Sequence, residues 1–133
     1  MTQGEVEARI GSDFAKFYLL LFQKGPREIH CDMVGPLAIV LIQNTFTSAE
    51  KLFVLDDENG RRMFKEMRTM VIDHNKKEFI AIIHTASGAD ISSVHHDIST
   101  LTGEEAFVFS LNQTPSYRLN NGISRKNLKK LPI

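Results

Sequence analysis

The sequence predicts an α+β fold: a four-stranded antiparallel sheet in helix–hairpin–helix–hairpin order, with two long helices on one face. Three observations carry that prediction. Two stretches keep a helical apolar spacing over several turns, and of four shorter ones three carry a period of two while the fourth, Leu37 to Ile42, is apolar throughout. Gly35-Pro36 and Thr102-Gly103 then stand where the short stretches would join in pairs.

The first helix is expected from about Gln3 to Lys24. Val6, Ile10, Phe14, Phe17 and Leu21 fall on one helical face, and Thr2 with Glu5 has the form of a capping box. Gly25-Pro26 is the expected stop, since glycine accepts a left-handed cap and proline cannot continue the ladder. From Arg27 to Val34, Ile29, Cys31 and Met33 alternate with Glu28, His30 and Asp32, the pattern of a half-buried strand. After Gly35-Pro36, Leu37 to Ile42 is apolar at every position, as in a strand covered on both faces. Thr47-Ser48-Ala49-Glu50 opens a short helix reaching about Leu55.

A second long helix is expected from about Glu58 to Thr85, with Phe64, Met67, Met70 and Val71 in its apolar stripe and Gly88 beyond its end. The polar stretch Asp73 to Glu78 contains neither Gly nor Pro, so it reads as an exposed part of one continuous helix. The Met63, Met67 and Met70 cluster reads as core packing. The last two strands are Ile91 to Ser99 and Glu104 to Asn112. Their alternation puts Val94, His96 and Ile98 with Phe107, Phe109 and Leu111, and leaves Ser93, His95 and Asp97 with Ala106 and Val108.

Composition bounds the function classes. The chain has 133 residues, 42% hydrophobic and 24% charged, which fits one globular domain. Its longest apolar runs, Phe17 to Phe22 and Leu37 to Ile42, are far short of the roughly 20 residues that span a bilayer, so no transmembrane segment is expected. The opening residues lack a basic cluster followed by an apolar core, and Cys31 is a lone cysteine. Both features fit a cytoplasmic protein. No nucleotide-binding glycine fingerprint occurs and no cofactor is expected. From Thr114 onward the sequence carries Arg118, Arg125, Lys126, Lys129 and Lys130 with no acidic residue, so an acidic body precedes a basic end. The expected organisation is a single α+β domain over residues 1–112 and a basic, flexible tail over residues 113–133.

Helices can cover one face of such a sheet, yet Leu37 to Ile42, Ala106 and Val108 supply apolar side chains to both. A homodimer is the economical cover for the second face. The alternative is that the tail folds back over it through Tyr117, Leu119 and Ile123.

Strand parity aims His30 and Asp32 the same way, and likewise His95 and Asp97. If their strands are neighbours, two imidazoles and two carboxylates converge in a metal-ligand set; the competing reading is ordinary polar residues on a solvated or dimer-facing surface. His96 shares parity with Val94 and Ile98 and reads as a core histidine with a satisfied ring nitrogen. Cys31 reads as a small buried hydrophobe, with a Cys31–His96 nucleophile pair as a lesser alternative. His74 and His84 are ten residues apart on one expected helix and fall on different faces. The five tail cations, with Tyr117, offer nucleic acid or an anionic membrane surface a contact, against the plainer reading of a solvated end.

Gly4-Glu5-Val6-Glu7-Ala8-Arg9-Ile10, Phe14-Ala15-Lys16-Phe17-Tyr18 and Gly25-Pro26 resemble the opening of the MpsC family, the Na+-translocating membrane-potential-generating system domain. The run Ser93 to Thr100, holding Val94, His95, Asp97 and Ser99, with Thr102-Gly103-Glu104 after it, resembles that family's second signature. Phe107-Val108-Phe109 resembles its closing strand, and Leu101 stands where the pattern has a basic residue. The resemblance covers roughly residues 3 to 112. It implies a cytosolic accessory or regulatory subunit linked with a membrane sodium or bicarbonate system, with a membrane-protein complex as partner, and it implies no known reaction. The residue pattern adds the expectation of a non-enzymatic module, against a rival reading as a small metal- or ligand-binding enzyme using His30, Asp32, His95 and Asp97.

Overall fold

Thr2 and Glu5 close the first turn of α1 (Gln3–Phe22) by exchanging side-chain and backbone hydrogen bonds of 3.2 and 3.0 Å, as the capping box requires. The computed structural model describes residues 1–44, 46–55 and 57–119. After α1 come β1 (Glu28–Val34), β2 (Leu37–Gln43), α2 (Ser48–Val54), α3 (Glu58–His74), α4 (Lys76–Ser87), β3 (Ile91–Ile98) and β4 (Glu104–Leu111). The strands form one antiparallel sheet in the order β1-β2-β4-β3, so β2 and β4 are central and the two hairpins meet through them.

The helices pack on one face. Val6, Ile10 and Phe14 of α1 and Phe79 and Ile83 of α4 close over Val40, Phe107 and Phe109, with the Phe14 ring 4.9 Å from those of both Phe79 and Phe107. Aromatic pairs at that spacing add about 0.5–1.5 kcal/mol each beyond the area they bury. A smaller cluster of Val54, Phe64 and Ile98, with Phe46 against it, ties α2 and α3 to the end of β3. There α3 passes so close to α2 that a Cβ on Gly60 would lie 2.2 Å from the Phe53 carbonyl oxygen, and only glycine fits.

The α1 stripe packs as expected, with Phe17 and Leu21 half-buried against the core and Tyr18 sealed beside them. Three expectations are corrected. The left-handed cap of α1 is Gln23 (φ 59°), not Gly25. The single helix expected from Glu58 to Thr85 is two helices: Asn75 leaves helical geometry (φ −108°, ψ 19°) and its side-chain amide donates to the Val71 carbonyl at 2.8 Å. Asparagine thus supplies the local competition for backbone groups that Gly or Pro would otherwise signal. The break also sets the phase of α3. Gly60, Phe64, Arg68 and Ile72 face inward, while Met63, Met67 and Met70, expected in the core, are 53–71% exposed.

The chain beyond Asn112 returns to the start of α1. Pro115 is buried, Tyr117 packs against the main core, and the Arg118 N–H donates to the Met1 carbonyl at 2.9 Å. Arg125, Lys126, Lys129, Lys130 and Ile123 lie outside the described residues.

Candidate functional site

Glu105 is the one fully buried acid among the described residues, at 0% exposure. It follows the Thr102-Gly103-Glu104 turn and shares the inner face with Phe107. Its Oε1 accepts from the Tyr18 hydroxyl at 2.6 Å, from Arg68 Nη1 at 2.9 Å and from Asn44 Nδ2 at 3.0 Å. Its Oε2 lies 2.6 Å from His96 Nε2. Arg68 also donates to the Tyr18 hydroxyl, lies 4.1 Å over the Phe22 ring and sits 3.7 Å from Glu50. Burial alone would raise the Glu105 pKa, but the His96, Arg68 and Tyr18 donors outweigh it and hold the carboxyl below the ordinary range. Because Glu105 is ionised, His96 Nε2 carries the proton of that contact. The same burial, and then the Glu105 charge, push the Tyr18 phenol well above its usual value.

Both oxygens of Glu105 are engaged, Oε1 by three donors and Oε2 by His96, so the group clamps the elements that supply them. The cluster ties α1, α3, β3 and β4 together from four positions far apart in sequence. His96 is the core histidine that parity predicts, with Nε2 satisfied; its Nδ1 is buried with no partner. A cleft of about 310 Å³ lies beside it, between the α3–α4 elbow and β3.

The signature residues build the turn that delivers Glu105. Gly103 (φ 79°) donates to the Ser99 carbonyl at 2.8 Å, Ser99 Oγ accepts from the Thr102 N–H at 3.2 Å, and Glu104 accepts from the Gln43 side chain at 2.7 Å. Any Cβ at position 103 would press on the Asn44 carbonyl at 3.0 Å and adopt a left-handed φ as well. Val94 is half-buried on the inner face, and Leu101 stands out at the tip of the turn, 91% exposed.

His30, Asp32, His95 and Asp97 all lie on the outer face, as parity predicts, but at opposite edges. Register puts His30, Leu41, Ala106 and Asp97 on one rung, and Asp32, Ile39, Val108 and His95 on the next. Two strands separate β1 from β3, about 14 Å at 4.8 Å per strand. The neighbour condition for a metal set is therefore not met inside one chain, and no group of three or more His, Cys, Asp or Glu gathers among the described residues. Asp97 pairs with Lys65 at 2.9 Å, which holds its carboxyl below the ordinary range, and His30 contacts Glu28 at 2.7 Å. The Cys31–His96 pair fails for the same reason of strand order. Burial first, then the Glu7 and Asp32 charges, push the Cys31 thiol up to about 12, so it stays protonated and unreactive. Of the tail cations, Arg118 is engaged by Glu5 at 3.1 Å.

Between those polar edges runs an apolar stripe. Leu37, Ile39 and Leu41 of β2 and Ala106 and Val108 of β4 remain part-exposed, whereas their inward neighbours Ala38, Val40, Ile42, Phe107 and Phe109 are sealed. The described part of the tail does not cover it, because Tyr117 joins the core on the helix side.

The fold is thus a helix-backed α+β sheet clamped by one buried ion cluster, with an apolar stripe on its open face. The chain belongs to the MpsC family: the family described as Na+-translocating membrane potential-generating system (MpsC) matches residues 2–113. It is also similar to the uncharacterised protein YbcI of Bacillus subtilis (strain 168), with 24% identity over 110 residues, 83% of this chain and 88% of that one. No solved structure matches. Among the described residues no helix is long and apolar enough to cross a membrane.

Proposed function

We propose that this protein is a non-enzymatic accessory or regulatory subunit of a membrane system for sodium-dependent potential generation or bicarbonate supply, working on the cytosolic side as a homodimer. The observation that carries the reading is the open sheet face, where five part-exposed apolar side chains lie between two polar edges. An assembling subunit presents that kind of surface, an apolar centre with a polar rim. Family membership supports the link to a sodium system. The interior supports a role without catalysis, since Glu105 is buried and held by four donors and the Cys31 thiol is held protonated.

The test is affinity purification of the full chain from its native host, with membranes retained in mild detergent. The expected result is co-purification of at least one integral membrane protein in fixed ratio, lost when Val108→Lys disrupts the stripe. Recovery of the chain with no membrane protein, at native abundance, overturns the reading.

A further inference from the structure

We propose that a second copy of this chain covers the outer face about a two-fold axis lying between the sheets and parallel to the strands, so that His95 faces the partner's Asp32 and Asp97 faces the partner's His30. The inference rests on the dimer reading above and adds its geometry.

Two sheets that pack face to face with aligned strands have two ways to obey a two-fold. An axis across the strands lays β1 on the partner's β1: passing through the Asp32 rung it sets Asp32 against Asp32 and His95 against His95, and passing midway between the rungs it sets Asp32 against the partner's His30, already held by Glu28, and His95 against the partner's Asp97, already held by Lys65. An axis along the strands reverses each rung instead. The rung Asp32–Ile39–Val108–His95 then meets itself end for end, as does the rung His30–Leu41–Ala106–Asp97. Ile39 lands on the partner's Val108, Leu41 on the partner's Ala106, and each acid on an imidazole.

Like groups set against each other disfavour the first placing of the crosswise axis, and the second spends Asp32 and His95 on groups already engaged; the axis along the strands alone matches these two with each other. Sheets about 10 Å apart leave room for a histidine and an aspartate to span the gap from both sides. The usual rotation of about 30° between packed sheets shifts an edge by about one residue, within reach of those side chains. Asp32 and His95 are both exposed, and neither has a hydrogen-bond or ion-pair partner among the described residues.

A charge-exchange cycle tests this, read by sedimentation equilibrium of the full chain near pH 6. Asp32 and His95 are too far apart within one chain for direct contact, so coupling between them reports the partner. His95→Asp and Asp32→His alone are each expected to weaken the dimer roughly five-fold, since every substitution acts twice across a two-fold. The double variant is expected to return to within about three-fold of the original. Both positions are exposed, so the variants fold. Additive losses in a protein that still dimerises overturn this geometry and leave the dimer reading standing. A chain monomeric at all accessible concentrations overturns both, and a Val108→Lys variant that dimerises as tightly as the original overturns the sheet-face geometry.

Discussion

Glu105 holds a negative charge at 0% exposure because four donors meet it, and its cost of removal follows from what those donors would lose. Glu105→Gln leaves the Arg68 guanidinium, 6% exposed, without its buried counter-charge and with only Glu50 at 3.7 Å. Breaking a buried pair in this way costs about 3–5 kcal/mol, so the urea midpoint at pH 7 is expected to fall steeply. The folded-state carboxyl titrates below its unfolded value, so its contribution is complete above about pH 4.3 and is lost as pH falls through the lower folded pKa. The original chain should therefore lose stability on acidification below about pH 4, and Glu105→Gln should flatten that limb. Equal midpoints at pH 7, or parallel acid limbs, would refute the clamp. Of this cluster only His96 was placed inside in advance, by alternation. The same alternation carries Glu105 onto the face of Phe107 and Phe109, although an acid is not expected in a core. Arg68 was not legible, because the methionines beside it make a more hydrophobic stripe than the phase that the fold uses. A long cation is seldom sealed unless its partner is already known, and here the partner lies 37 residues away.

Element ends were less legible than element types. All four strands, α1 and α2 fall where spacing and caps predict, because each has a local signal that tertiary packing does not oppose. The α3–α4 break lacks one: Asn75 interrupts the ladder through its own side chain, and the two helices then diverge to serve different clusters, α3 at Phe64 and Ile98, α4 at Phe79 and Ile83. The end of α1 shows a different conflict. Gly25 is present and available, yet the left-handed position falls on Gln23 at φ 59°, where its N–H donates to the Leu19 carbonyl at 2.9 Å. The last buried residue of the stripe, Tyr18, is held by Glu105, so packing stops the helix before the glycine arrives. A non-glycine residue there carries a steric cost of about 1 kcal/mol. Gln23→Gly is therefore expected to raise stability by roughly 0.5–1 kcal/mol, measured as a higher urea midpoint with unchanged slope; a lower midpoint would show that the exposed glutamine contact to Leu20 outweighs the strain.

At the scale of the whole molecule, apolarity on both faces of one sheet was readable from β2 alone, while strand order was not. Pairing of β2 with β4 is a long-range event that no local pattern encodes, and it moves His30 and Asp32 to one edge and His95 and Asp97 to the other. Composition gives a boundary near Asn112, between Glu105, the last acidic residue, and the turn-rich basic stretch that holds Pro115 and Arg118. Packing offers an independent criterion. Pro115 is buried, Tyr117 sits against the core with its phenol pushed up to about 12 by that burial and then by the Glu7 and Cys31 charges, and Arg118 bridges Thr2 beside the α1 capping box. A chain ending at Asn112 would expose the surface that Tyr117 covers and leave the Met1 carbonyl without its donor. Covering a large side chain is worth about 1.5–3 kcal/mol, and the part-burial of Tyr117 lies toward the lower end. The chain ending at Asn112 is thus expected to be about 2 kcal/mol less stable than one ending at Leu119, with the difference visible as a lower thermal midpoint and as faster amide exchange in the first turns of α1. Equal midpoints for the two would place the end of the folded unit at Asn112, where composition puts it.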